Sequence, residues 1–208
     1  MRLLIVTAVE AEAEAVGEIP NATVITSGIG RTNAAVATTE AILQRGPFDA
    51  VINMGVAGAL PGSPLQIGSV IVATSCIYVE EGQDHPDGFQ ELSQMGMSLG
   101  DFSGNAVPVD PGLLNMLSAE FHAGPIATVA TCSGTDQRAE AVRSRTGADA
   151  EAMEGAAVVH AARRLETPGI EIRVISNTTG DRDQQHWDLP AAFRSLQLAA
   201  EAVLEIAI

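Results

Sequence analysis

The sequence predicts an α/β fold: a single domain built as a three-layer sandwich, with helices around a central mixed, mostly parallel sheet. Three observations carry this. Apolar runs such as Leu3–Val6 and Ala50–Ile52 show no polar alternation, the pattern of strands buried on both faces. Helical segments alternate with these strands along the chain. No linker, internal repeat or low-complexity tract divides residues 1–208, a length that suits one domain of about 200 residues.

Taken in order, Leu3–Val6 is the first strand and Glu10–Gly17 a short helix. Ala22–Thr26 is a second strand, Ser27-Gly28-Ile29-Gly30 a turn, and Thr32–Gln44 an alanine-rich helix whose small residues let it sit close to the sheet. Ala50–Asn53 is a third strand, ending in a Gly55-Val56-Ala57-Gly58 loop. Ile67–Thr74 is a further strand, with Gly68 marking its start. Residues 79–105 mix Gly, Asp, Pro and Gln and read as a long irregular excursion, a kind of segment that often carries function. Pro111–Ala119 is a helix with proline in its first turn. Ile126–Thr131 is a strand, Thr135–Arg145 a helix, Ala148–Ala150 a short strand, Glu154–Leu165 a helix and Ile172–Ile175 a strand. Pro190–Ile208 closes the chain as an amphipathic helix.

Charge removes several function classes. The chain has 26 Asp plus Glu against 11 basic residues, a net charge of −15, and every basic residue is arginine. Without lysine there is no Schiff-base nucleophile, no pyridoxal phosphate anchor and no phosphate-loop lysine. Nucleic acids and anionic membrane surfaces need positive patches, so neither is an expected partner. Aromatics are only 3%, so the core must be built from Ala, Val, Leu and Ile. Cys76 and Cys132 form no motif and fit a reducing compartment. No signal-peptide core or membrane-length apolar stretch is visible, which points to a soluble cytoplasmic protein. His85, His122, His160 and His186 lack ligand spacing, so no metal is expected, and no cofactor. Ser133 and Cys132 have no neighbouring His-Asp pair, so a hydrolase triad has no support.

Ligands in open α/β folds sit beyond the carboxyl ends of the strands, so the residues there are the candidates. Glu10 and Glu12 follow the first strand; a first helical turn favours acids through its dipole whatever their function. Gly28-Ile29-Gly30 is half of a dinucleotide fingerprint, with Asn33 where the third glycine belongs, and reads as a tight turn. Asn53–Gly58 allows close backbone approach or a simple packing turn. Glu151 and Glu154 precede a small-residue helix, where capping alone would explain them. Asp181-Arg182-Asp183 has no third ligand at helical or strand spacing and reads as a solvated loop.

In this order, the Ala8-Val9-Glu10-Ala11-Glu12 segment, Ser27-Gly28-Ile29-Gly30-Arg31-Thr32-Asn33-Ala34-Ala35, Gly55-Val56-Ala57-Gly58, Met153-Glu154-Gly155-Ala156-Ala157 and Ile175-Ser176-Asn177 resemble the nucleoside phosphorylase and nucleosidase superfamily. The resemblance covers essentially the whole chain. Phosphorylases hold phosphate with arginines near the first strand; Glu10 and Glu12 stand there instead and would repel it. The resemblance therefore implies a hydrolytic nucleosidase with Glu12 activating water, and Met153 and Glu154 holding the ribose. Methylthioadenosine/S-adenosylhomocysteine nucleosidases carry Ser-Asp where this chain has Ser176-Asn177. With Gly180–Asp183, Trp187 and Glu151-Ala152-Met153-Glu154, that departure looks like the futalosine hydrolase branch, which releases hypoxanthine from futalosine.

On this resemblance Asn177 faces the purine, Ala57, Gly58, Phe89 and Asp181 complete the substrate-binding set, and Asp181 is an open choice for delivering a proton. An Asn amide can donate to the O6 and N7 acceptors of a 6-oxopurine, whereas an ionised Asp cannot. The substrate's benzoate calls for a cation, with Arg31, Arg138, Arg182 and His186 as candidates. The alternatives are a methylthioadenosine-type nucleosidase, disfavoured by Asn177, a phosphorylase, and a catalytically silent nucleoside-binding module, which the retained Glu12 and Glu154 argue against. The expected partners are a small nucleoside and further copies of the chain, in a homodimer or higher homo-oligomer.

Overall fold

The computed structural model describes residues 1–207. In chain order the elements are β1 (Leu3–Thr7), α1 (Glu10–Val16), β2 (Ala22–Thr26), α2 (Arg31–Arg45), β3 (Ala50–Ala59) and β4 (Val70–Tyr78). A hairpin follows, β5 (Gly82–His85) and β6 (Gly88–Glu91), then β7 (Ala106–Pro108), α3 (Pro111–Leu117) and β8 (His122–Thr128). The chain ends with α4 (Asp136–Thr146), β9 (Ala150–Ala152), α5 (Gly155–Arg164), β10 (Gly169–Thr178) and α6 (Leu189–Ala207). The expected end of the last helix at Ile208 lies outside the described residues.

The main sheet runs β10-β4-β8-β9-β3-β1-β2, with β7 on β4. Five of its strand pairings are parallel and three antiparallel. The mixed, mostly parallel sheet is thus the one the sequence predicts. Its closure is not: β10 also pairs with β3, from Gly169 opposite Val51 to Thr178 opposite Ala59. Strands β10, β4, β8, β9 and β3 therefore close on themselves as a barrel, and β1 and β2 extend from it. The open sheet of a three-layer sandwich lacks this ring. The physical reason is length and twist: β3 and β10 each span ten residues, and a long twisted sheet brings its ends together.

Helices cover both faces where β1 and β3 meet. Successive strand residues point to opposite sides. Leu4, Val6 and Val51 pack with Ala34 and Ala41 of α2 and Val158 of α5. Leu3, Ile5 and Ile52 belong to the larger core with Val16 of α1 and Leu196 and Val203 of α6.

Other elements differ from expectation, among them β4, which begins at Val70 and not at the predicted Ile67 and runs on to Tyr78. β3 continues through Gly55–Gly58, because β9 and β10 pair with that stretch on either side. The excursion over 79–105 contains the β5–β6 hairpin. β8 lies at His122–Thr128, N-terminal to the predicted strand, where it pairs β4 from Ile71 onward. No described helix is long and apolar enough to cross a membrane.

Candidate active site

A cavity of about 440 Å³ opens at the carboxyl ends of β1, β3 and β10. Glu12 enters it from the first turn of α1, which folds back only two residues after β1. Its side chain is almost fully buried and held entirely by backbone. Oε2 accepts from the N–H of Ala8 at 2.8 Å and of Val9 at 3.3 Å. Oε1 accepts from the Val56 N–H at 2.8 Å. A carboxylate has about four acceptor positions, so this clamp leaves one open. Gly55 makes the arrangement possible: a Cβ there would overlap Glu12 Oε1 and lie 2.6 Å from Arg173 Nη1.

Glu154 lies at the N-terminal edge of α5 and is 3% exposed. Its Oε1 accepts from the Gly30 N–H at 2.9 Å and its Oε2 from Arg173 Nη2 at 3.2 Å. The Gly28-Ile29-Gly30 turn, which reads in sequence as a plain tight turn, thus serves the site directly. Both glycines have positive φ, 86° and 93°, so a side chain at either would strain the backbone that presents the Gly30 N–H.

Arg173 of β10 is the hub beneath these two acids. It is 1% exposed, donates from Nε to Glu171 Oε1 at 2.8 Å, and donates from Nη2 to Asn53 Oδ1 as well as to Glu154. Burial disfavours its charge, but Glu171, Glu154 and Glu12 more than offset that and raise its pKa. Glu171 fits only because its neighbour is Gly155, where a Cβ would overlap the Glu171 carboxylate.

The other side of the cavity carries an amide, a third carboxylate and two sulfur atoms. Asn177 Oδ1 accepts from Ser176 Oγ at 2.8 Å, and its Nδ2 donates to the Thr178 carbonyl at 2.8 Å. Gly58 lies beside it: a Cβ there would stand 3.1 Å from Asn177 Nδ2. Glu151 accepts from the N–H and Oγ of Ser133 at 2.7 and 2.6 Å. Cys132 Sγ and Met153 Sδ are 3.4 Å apart along the same wall.

Of the cations expected near a substrate carboxylate, Arg31 is bound by Glu81 at 2.5 Å and Arg138 by Glu80 at 2.6 Å. Arg182 lines the cavity, lies over the Trp187 ring at 4.8 Å and donates to Gln185 Oε1. His186 is exposed and does not line the cavity.

The structure therefore brings Glu12, Ala57, Gly58, Met153, Glu154 and Asn177 to one cavity. It does not bring Phe89 or Asp181 there. Phe89, on the β5–β6 hairpin, packs its ring under the Arg145 guanidinium at 4.0 Å. Asp181 forms a reciprocal pair with Asp136, accepting from its N–H at 3.0 Å and donating back at 2.9 Å. Sequence reasoning missed Arg173 and Glu171, and did not set Glu151 with Ser133. The signal for the first two was present: Glu171 and Arg173 stand two apart in an otherwise apolar strand, which no solvated face explains. Among the described residues no cluster of three or more His, Cys, Asp or Glu is placed to hold a metal.

The cavity thus joins glycine-lined strand ends, buried acids and an Asn on a closed barrel. The model of the phosphorylase superfamily matches residues 10–208, and the chain belongs to that family. The futalosine hydrolase of Acidothermus cellulolyticus is 36% identical, over 98% of this chain and 90% of that protein. The futalosine hydrolase of Streptomyces coelicolor is 32% identical, over 94% and 92%. Among solved structures, the 5'-methylthioadenosine/S-adenosylhomocysteine nucleosidase of S. pneumoniae superposes with a TM-score of 0.80 at 22% identity, covering 100% of both chains.

Proposed function

We propose that this chain is an N-glycosyl hydrolase acting on futalosine, releasing hypoxanthine and dehypoxanthine futalosine in menaquinone biosynthesis. The observation that carries this reading is its similarity to futalosine hydrolases at 32–36% identity over nearly the whole chain. Asn177, at the position where the adenine-releasing nucleosidases carry Asp, supports the choice of base.

Hydrolysis of an N-glycosidic bond passes through a ribosyl oxocarbenium-like state, as glycoside hydrolysis does. Glu12 is the base: its remaining acceptor position takes a proton from water as the water attacks the anomeric carbon, a contribution of about 10²- to 10⁴-fold. The purine leaves with the electron pair of the broken C–N bond and takes up a proton from solvent, while Glu12 returns its own to solvent. Glu154, fixed by Gly30 and Arg173, accepts from the ribose hydroxyls and places negative charge beside the cationic sugar. Asn177 has one Nδ2 hydrogen beyond the bond to Thr178, and directs it to the departing purine. Arg182, without a carboxylate partner among the described ion pairs, takes the substrate's carboxylate. The acids at the first strand stand against phosphate as the nucleophile.

The protein works in the cytoplasm as a homodimer or higher homo-oligomer. The exposed Ile29, Val36 and Leu43, on and beside α2, support a self-association face.

The test is release of free base from a panel of futalosine, its 6-amino analogue, inosine and methylthioadenosine, with and without phosphate. The expected outcome is phosphate-independent release of hypoxanthine, with futalosine preferred. Preference for methylthioadenosine would favour the adenine-releasing nucleosidase that shares this fold, and phosphate dependence a phosphorylase.

A further inference from the structure

Glu151 is a buried carboxylate, 6% exposed, that the hydrolytic step leaves unused. It lines the cavity together with Gly58 and Asn177. Its place in the sheet is specific. Gly58 of β3 pairs with Glu151 of β9 on one side and with Asn177 of β10 on the other. The three residues form one row across three strands, Asn177 entering it just after a break in the β3–β10 register at Ser176, and all three line the cavity. The centre of the row has no side chain. Adjacent strands lie about 4.8 Å apart, so the outer two side chains start about 10 Å apart, and the Thr179 methyl stands 2.8 Å from where a Cβ of the central residue would lie.

The two ends of this row differ in hydrogen-bonding character. At the Asn177 end the amide offers a donor. At the Glu151 end an ionised carboxylate only accepts, and Ser133 occupies two of its roughly four acceptor positions. A 6-oxopurine presents N7 and O6 acceptors on one edge and an N1–H donor on the next. A 6-aminopurine presents N1 as an acceptor, which a carboxylate rejects.

We propose that Glu151 is a specificity-determining residue that accepts the N1–H of a 6-oxopurine, with Ser133 holding its carboxylate in place. Burial pushes the Glu151 carboxyl up, and the Ser133 hydrogen bonds only partly counter it, so the site gains from one more donor. The inference rests on the nucleosidase reading of the cavity and not on futalosine as the substrate. The competing role is structural: Glu151 anchors the Ser133 loop and never meets the base.

The experiment is calorimetric binding of free hypoxanthine, 1-methylhypoxanthine and adenine to the wild-type protein and to the Glu151→Gln and Ser133→Ala variants. Wild type is expected to bind hypoxanthine at least about 10-fold more tightly than its 1-methyl form, the loss of one hydrogen bond to a charged acceptor. Glu151→Gln is expected to lose at least about 10-fold for hypoxanthine and none for adenine, since its amide can donate to N1 of adenine. Ser133→Ala is expected to keep the hypoxanthine-to-adenine ratio above that of Glu151→Gln. Equal weakening of both bases in both variants overturns the proposal. So does wild-type binding of 1-methylhypoxanthine as tight as hypoxanthine, a result that needs no variant to fold. Free-base binding also separates the two readings: failure to hydrolyse futalosine leaves these ratios intact.

Discussion

Arg173 donates to Glu154 across 3.2 Å with both side chains out of water, 1% and 4% exposed. The same guanidinium neutralises Glu171, which is wholly buried. One arginine thus stands between two buried carboxylates, and a third, Glu12, is close enough to raise its pKa. Removing one partner of a buried pair strands the other, at a cost of about 3–5 kcal/mol. Arg173→Met is therefore expected to lower unfolding free energy by about that amount, measured by urea titration.

Glu12→Gln is expected to lower turnover by about 10²-fold or more while ligand binding persists. The substituted amide turns an NH₂ toward one of the Ala8, Val9 or Val56 N–H donors, so some loss of stability accompanies the change. Single-turnover base release, set beside hypoxanthine binding by calorimetry, separates the two effects. Turnover near wild type would refute the base.

Gly55→Ala tests the same acid without touching it. The added methyl overlaps Glu12 Oε1 and presses on Arg173. Glu12 must leave its backbone clamp, so turnover is expected to fall about as far as in Glu12→Gln although the carboxylate is still present. Steady-state assay of base release on the folded variant is the check.

Cys132 is exposed on the cavity wall and Cys76 is buried. Partial desolvation of its sulfur against the wall, with Glu151 and Glu154 adding, pushes the Cys132 thiol up, and full burial pushes Cys76 well up. The thiolate is the reactive form, so alkylation of Cys132 should keep accelerating with pH beyond the range near 8.5 where an ordinary cysteine levels off. In the folded protein one thiol is expected to react, slowly at neutral pH, and hypoxanthine should protect it. Mass spectrometry of alkylated peptides reads both.

Much of this fold was legible in the residues. Ala22–Thr26 falls where the apolar pattern places it, and Leu3 to Thr7 overruns its predicted end by one residue, because continuous apolar runs have few other uses. What was not legible is pairing between distant segments. Nothing local tells β10 to close on β3, so Gly55–Gly58 looks like a loop when it is strand backbone held from both sides. The site divides the same way. Glu12, Glu154 and Asn177 stand in recognisable motifs just after strands. Arg173 has no motif, and its meaning depends on three acids brought to it from α1, α5 and its own strand. Phe89, which the resemblance places in the substrate-binding set, lies outside this cavity, with an exposed guanidinium over its ring.

The closure of the barrel by β10 has a mechanical meaning. This strand carries the guanidinium that fixes Glu154 and the Asn177 amide, and around Arg173 it is laced to β3 and β4 along opposite flanks. Arg173 cannot drift without tearing backbone bonds on both flanks, while Asn177 is paired to Gly58 of β3 and to Trp187. The guanidinium that holds the buried acids is thus seated on a strand bonded on both sides, and the segment after β10, which brings Arg182 and Trp187 to the cavity, folds back onto that strand through the Asn177–Trp187 bridge and the Asp188 N–H to the Ser176 carbonyl.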